Sequence, residues 1–382
     1  MTPTTHPEFP LDPSIIYLNH AAVAPWPRRT VEAVRRFADE NLKFGATRYP
    51  AWLEVEQRLR RQLARLIGAP SPADIALLKN TSEALSIVAH GIDWREGDNV
   101  VLLHQEFPSN RVVWESLRPR GVEVRELEPG EDADPEARMM AAADDRTRLI
   151  TVSSVQYATG LRMDLRRLGG FCHRRGILFC VDAIQSLGAL PFDVGECHAD
   201  FVMADGHKWM LGPEGLALFY VRPQLREQLT LHQYGWHMLE HAGDFDRPDW
   251  RPAADARRFE CGTPNMLGIH ALSASLELLL QTGIREVSER VLENTRMLNR
   301  LAMDSDDMLE LVSSDLESRL SGIVSLRPRG LDAERVHREL MDRGVICACR
   351  GGAVRFSPHF HTAPDQLERA MAILLEVCRS QR

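Results

Sequence analysis

Apolar residues recur at helical spacing over two stretches near the start of the chain, about 28–44 and 50–67, and the second, WLEVEQRLRRQLARLIG, stops at Gly68. From there short apolar runs alternate with helical stretches. IALL (75–78) leads into a helix from Ser82 to about Ala89, NVVLL (99–103) precedes one near 108–117, and VEVREL (122–127) follows Gly121. RLITVSSV (148–155) is followed by a helix around 164–175, and then by ILFCVDA (177–183), ADFVMAD (199–205) and LALFYV (216–221). Strands alternating with helices at this spacing predict βαβ units and a largely parallel sheet.

The pattern changes near Met266. Long helices are predicted over 267–280 and 285–303, then a strand GIVSLRP (322–328), a helix over 331–343, strands VICACR (345–350) and AVRFSP (353–358), and a last helix over 364–379. A large α/β domain is therefore expected over 15–265 and a smaller C-terminal α+β domain over 266–382, with the N-terminal arm 1–14 packing on the smaller one.

Composition narrows the class. Of 382 residues, 44% are hydrophobic and 26% charged, ordinary values for a globular chain, and the net charge of −8 comes without a basic block, so no nucleic-acid partner is expected. No run of about 18 uninterrupted apolar residues suggests a membrane span. The start, MTPTTHPEFPLDP, has neither a basic opening nor an apolar run, so a cytoplasmic location is expected. Seven scattered cysteines without a CxxC pair argue against a disulfide framework or a zinc module. His237 and His241 share the i, i+4 spacing of a helix face, but no third ligand stands near, and no metal is expected.

One count points to chemistry. Of the 46 cationic residues only three are lysine: Lys43, Lys79 and Lys208. Arginine cannot act as a nucleophilic amine near neutral pH, whereas a desolvated lysine can. Lys208 follows the strand FVMAD by a short turn, and Asp182 ends the strand ILFCVD one crossover earlier, so both can face the crevice beyond the carboxyl edge of the sheet. At the same edge Asn80-Thr81-Ser82-Glu83 places hydroxyls and backbone N–H groups at a helix start, which suits a phosphate and is equally a plain capping sequence. Phe107 follows the next strand, where a flat ring covers a flat cofactor or simply joins the core. A lysine, a strand-end carboxylate, a phosphate cradle and an aromatic lid together are what pyridoxal 5'-phosphate (PLP) requires.

The segments YLNHAAVAP (17–25), NTSEAL (80–85), HQEFPSN (104–110), SSVQYATG (153–160), VDAIQSLG (181–188), ADGHKWMLGPEG (204–215), RFECGTPN (258–265) and AVRFSPHFHT (353–362) together span nearly the whole chain. In them the sequence resembles the class V aminotransferase family of fold-type I PLP enzymes, the group of cysteine desulfurases, isopenicillin N epimerase-like proteins and kynureninases. The resemblance carries expectations about fold and site. It implies a large domain with a mostly parallel seven-stranded sheet and a smaller C-terminal domain. It further implies that Lys208 forms a Schiff base with the cofactor, that Asp182 pairs with the pyridinium nitrogen and that Gln185 bonds the phenolic oxygen. Thr81 and Ser82, with His207 beside them, would bind the phosphate, and Phe107 would stack on the ring as in the kynureninase-like branch, where desulfurases usually place a histidine. Thr263 would reach the cofactor phosphate of a second copy, implying a homodimer with shared sites. Arg355 would clamp the substrate α-carboxylate, with Asn19, Tyr157 and Arg350 around the substrate.

Two departures bear on function. Asp205 stands where relatives often carry Ser or Thr, and the desulfurase pattern Arg-x-Gly-x-His-Cys is missing from the shorter segment VICACRGGAVRFSP, so Cys347 and Cys349 are not expected to carry sulfur. The resemblance implies a PLP enzyme acting at Cα of a small L-amino acid or derivative, by transamination or C–S β-elimination. An epimerase and a cysteine desulfurase are the alternatives, and a catalytically inactive binding module is the reading of a different class. Retention of Lys208, Asp182 and Thr263 weighs against that module, and no G-x-G-x-x-G follows the first strands to suggest a nicotinamide enzyme.

Overall fold

The computed structural model describes residues 6–128, 134–305 and 307–382. The chain enters through a two-residue strand, β1 (Ile16–Tyr17), and two helices, α1 (Arg28–Phe44) and α2 (Tyr49–Ile67). Strands β2 (Ile75–Leu78), β3 (Asn99–Leu103), β4 (Glu123–Leu127), β5 (Thr147–Ser153), β6 (Leu178–Asp182), β7 (Phe201–Asp205) and β8 (Ala217–Val221) follow, interleaved with α3 (Thr81–Gly91), α4 (Ser109–Glu115), α5 (Pro135–Ala141) and α6 (Leu165–Arg175). They form one seven-stranded sheet in the order β2-β8-β7-β6-β5-β3-β4. β3 and β8 are buried at every position, which is why their sequences run continuously apolar instead of alternating.

The sheet is mixed, because β8 pairs antiparallel with both β2 and β7. Its neighbour β7 turns back through residues 206–216, with Asp205 opposite Ala217. The loop is pinched at its base: Gly206 N–H donates to the Leu216 carbonyl at 2.9 Å, and Gly212 N–H to the Gly206 carbonyl at 2.8 Å. Lys208 thus sits on a closed loop at the carboxyl edge, not on a crossover.

After α7 (Met266–Thr282) and α8 (Ile284–Met303) come β9 (Leu309–Leu311), β10 (Val324–Pro328), α9 (Ala333–Asp342), β11 (Val345–Ile346), β12 (Ala348–Arg350), β13 (Ala353–Phe356) and α10 (Pro364–Gln381). β12, β13, β10 and β9 make an antiparallel four-stranded sheet. The smaller C-terminal domain is built on this sheet. β1 pairs in parallel with β11 (Ile16 opposite Val345), so the first strand joins the end of the chain. The arm lies between two partners: Phe9 stacks on His361 with ring centroids 3.6 Å apart, while Glu8 pairs with Arg29 of α1 at 2.8 Å. Residues 1–5 lie outside the described part.

Two expectations change. VICACR is two strands interrupted at Cys347, and residues 236–241 are bends and turns around an isolated bridge at Leu239, so the helical spacing of His237 and His241 has no helix beneath it. The short elements β1, β9 and α5 escape a periodicity reading because none is long enough to show a period. Among the described residues no single helix is long and apolar enough to cross a membrane; α7 is apolar because it packs against α1 and α2 inside the protein.

Candidate active site

The ends of β5, β6 and β7 deliver Ser153, Asp182 and Asp205 to one edge, and the 206–216 loop adds Lys208. The Lys208 ammonium nitrogen lies 5.7 Å from the centre of the Phe107 ring, within cation–π range. Phe107 stays 41% exposed and meets Tyr157 edge-on, ring centroids 5.2 Å apart. The Tyr157 carbonyl accepts a 2.6 Å hydrogen bond from Nη1 of Arg355 on β13. Asn19, through its bridge to Ser357, lies beside the end of that strand with Oδ1 buried and unpartnered. Lysine, aromatic ring, tyrosine and arginine therefore form one contact chain.

Burial sets the electrostatics. It pulls the Lys208 amine below its ordinary value, an effect Asp182 opposes and the guanidinium of Arg355 adds to. Burial also pushes the Asp182 carboxyl up, against a 3.0 Å hydrogen bond from Ile184 N–H to Oδ1 and the attraction of Lys208. Among the described residues nothing donates to the other Asp182 oxygen. Arg355 is 2% exposed; burial and the repulsion of Arg350 lower it to about 10, so it stays charged, and its Nε is buried without a partner. Arg350 itself is exposed and bonds the carbonyl of Cys349 at 2.7 Å.

At the start of α3 the Asn80 side chain caps by accepting from Glu83 N–H, which leaves the N–H groups of Thr81 and Ser82 without intrahelical partners. Thr81 Oγ1 accepts from Asp205 N–H at 3.1 Å, and Ser82 Oγ donates to Ser109 Oγ at 2.8 Å. Asp205 is not satisfied by His207: their closest approach is 3.7 Å, and neither Asp205 Oδ1 nor His207 Nδ1 has a hydrogen-bond partner. Desolvation raises Asp205 to about 6 and lowers His207 to about 4, so the imidazole is neutral.

Gln185 is buried, with its amide shared between the Ala21 carbonyl and the Trp209 indole. Thr263 stands apart within one copy: it is exposed, and its hydroxyl meets the Trp236 indole N–H at 3.3 Å. Glu106, Trp209 and Ala21 were missed by sequence reasoning, although each lies inside a quoted segment. Glu106 collects donors from Ser153, Gln156 and Asn110 and so anchors the residue before Phe107; a buried acid beside an exposed aromatic was the available signal. Glu56, His237 and Glu260 come close enough to share an ion, but Arg60 already bonds both carboxylates, which explains their burial without a metal.

The donor set fits a phosphorylated pyridine aldehyde. A desolvated amine, a carboxylate with a free oxygen, unpaired N–H groups at a helix start and a half-exposed ring supply one partner for each part of it. The family model of the class-V aminotransferases matches residues 16–366. The chain belongs to the class-V aminotransferase family. Class-V aminotransferases of this kind are PLP enzymes, and PLP is the cofactor of this one. It is 32% identical to a probable cysteine desulfurase of Methanothermobacter thermautotrophicus, over 97% of this chain and 96% of that one. It is 30% identical to the isopenicillin N epimerase of Streptomyces clavuligerus, over 94% of each. Its fold matches a cysteine desulfurase of Thermococcus onnurineus with a TM-score of 0.88 at 23% identity, covering 98% of this chain and 97% of that one. It also matches the cystine C–S lyase C-DES, with a TM-score of 0.86 at 21% identity and coverage of 94% and 97%.

Proposed function

We propose that this class-V enzyme cleaves the Cβ–S bond of a cystine- or cysteine-type L-amino acid by β-elimination, releasing the sulfur product without loading it on a protein thiol. The observation that carries this reading is the state of the cysteines near Arg355. Cys347 and Cys349 are buried, and desolvation pushes their thiols up to about 12 and about 11, the reverse of what a sulfur-accepting nucleophile needs. The relatives' names, among them a desulfurase and a cystine C–S lyase, support C–S chemistry in the shared scaffold.

In this reading Lys208 holds the cofactor covalently, Asp182 faces its ring nitrogen, Gln185 its phenolic oxygen, and Phe107 covers the ring. Thr81, Ser82 and His207 hold its phosphate. The cofactor supplies an electron sink for the pair released at Cα. Arg355 grips the substrate carboxylate with Tyr157, Asn19 and Arg350 around it, and the Lys208 amine, once free, takes the Cα proton. Burial keeps that amine unprotonated at lower pH than an ordinary lysine. With cystine the balance is cystine plus water giving pyruvate, ammonia and cysteine persulfide. The proton from Cα is returned to product, and the Cβ–S electron pair leaves with sulfur.

The exposed Thr263 completes the phosphate site of a second copy, which makes the working form a homodimer. Seven free thiols support a cytoplasmic setting.

The test is incubation of the PLP-loaded protein with L-cystine, L-cysteine and L-alanine without a keto acid. Pyruvate and persulfide or sulfide in equal amounts support the lyase. Stoichiometric conversion of the cofactor to its amine form makes the protein a transaminase, racemisation makes it an epimerase, and failure to take up PLP makes it a binding module.

A further inference from the structure

Trp209, which follows Lys208, is fully buried and wedged at both ends. A Cβ added at Gly322 would lie 2.3 Å from the tip of its indole, and one added at Gly188 would lie 2.1 Å from its carbonyl oxygen, so glycine at both positions lets Trp209 fill this slot. His359 adds a hydrogen bond at 3.1 Å from Nε2 to the Trp209 carbonyl. Its Nδ1 accepts from Phe360 N–H at 2.8 Å, which places the proton on Nε2 and makes that nitrogen the donor. The indole is therefore a fixed donor, and its Nε1–H points at Gln185 Oε1 from 2.9 Å.

The other end of the same amide donates from Nε2 to the Ala21 carbonyl at 3.0 Å. Rotating the amide by half a turn would set its NH2 against the indole N–H and its oxygen against the Ala21 carbonyl, two like-with-like contacts in a buried site. Both ends therefore select the same orientation without help from any ligand. After both bonds the amide retains one N–H and one lone pair.

We propose that Trp209 is a positioning residue: its indole N–H, working with the Ala21 carbonyl, presents the remaining Gln185 N–H as a donor to the phenolic oxygen of the cofactor. This rests on the cofactor placement proposed above. A donor held on that oxygen favours its anionic form and lowers the pH at which the visible band of the Lys208-bound cofactor titrates.

The experiment is a pH titration of that band in the PLP-loaded protein. The variants are Trp209→Phe, the same position carrying the benzothienyl analogue of tryptophan, which keeps the shape and lacks the N–H, Gln185→Ala, and the Trp209 changes in the Gln185→Ala background. Both Trp209 changes are expected to raise the midpoint by about half to one pH unit, in line with one lost hydrogen bond, and to add nothing once Gln185 is gone. A midpoint moved by Gln185→Ala but by neither Trp209 change overturns the positioning role alone, as does a Trp209 effect that persists in the Gln185→Ala background. A midpoint that Gln185→Ala leaves in place overturns the placement of Gln185 on the cofactor, and the proposal with it. If Trp209→Phe fails to fold, the analogue decides.

Discussion

Arg355 Nη1 bonds the Tyr157 carbonyl oxygen at 2.6 Å, and this contact, beside that of Ser325 Oγ on the Ala158 carbonyl, ties the small antiparallel sheet to the loop after β5 of the large one. It also orients the guanidinium. With Nη1 committed, the unpartnered Nε and the remaining Nη2 form the edge that can take a carboxylate in two parallel bonds.

Arg355→Lys keeps the charge and loses that edge. KM for the amino-acid substrate is expected to rise about ten- to a hundredfold, about 1.4 to 2.8 kcal/mol, with PLP affinity within about twofold of wild type. Steady-state kinetics and a PLP titration check it; an unchanged KM removes Arg355 from the carboxylate role.

Lys208→Ala is expected to abolish turnover while the protein stays folded, because among the described residues the amine is held only by the attraction of Asp182 and Asp205 and by the Phe107 ring, while burial works against its charge. Borohydride should fix the cofactor to the wild-type chain and not to the variant. The rate of covalent capture should rise with pH and level off at a midpoint below 10.5, the ordinary lysine value, since burial disfavours the protonated amine. Steady-state turnover by the variant would end the proposed role of Lys208.

The succession of strands along the chain and the polar residues at their ends were legible because continuous apolar runs and strand-end polar residues survive in one dimension. The reversal of β8 was not: LALFYV reads the same in either direction, and only the closed 206–216 loop sets its sense. Lys208 and Asp182 stood out through residue scarcity and spacing, Phe107 through its place after a strand, and Tyr157 and Arg355 through the family resemblance; the structure brings the five close together. Trp209 and Ala21 escaped because they act through Gln185: Ala21 supplies only a carbonyl, and Trp209 acts by its place on the loop. The state of Asp205 was equally hidden, since its carboxyl is raised by burial that no local pattern shows.

His361 stacks on Phe9 with both ring nitrogens buried and unpartnered, and burial, followed by His20, His359 and His6, holds its pKa well below 6.5. The unfolded chain therefore binds a proton below about pH 6.5 that the folded chain refuses, so this group's contribution is intact above that pH and is lost as pH falls, by at most about 1.4 kcal/mol per pH unit. His361→Phe keeps the stacking and removes the titration. Urea unfolding should show the variant as stable as wild type or more so near pH 7, with a larger advantage near pH 5.5. An advantage that stays flat or shrinks toward low pH contradicts it.

If sulfur leaves without a protein carrier, the thiols near Arg355 are dispensable. Cys347→Ala and Cys349→Ala, singly and together, should keep pyruvate release from cystine within about threefold of wild type, a change of about 0.7 kcal/mol that reflects packing in a buried site and not chemistry. Iodoacetamide should label Cys261 first, because the other six cysteines are buried and burial raises their thiols, which lowers the thiolate fraction that reacts. Mass spectrometry during turnover should find no extra sulfur on the chain. A persulfide on Cys347 or Cys349, or a hundredfold loss on replacing either, would return the protein to the desulfurase mechanism, and the buried thiol would then have to reach solvent through a rearrangement of β11 and β12.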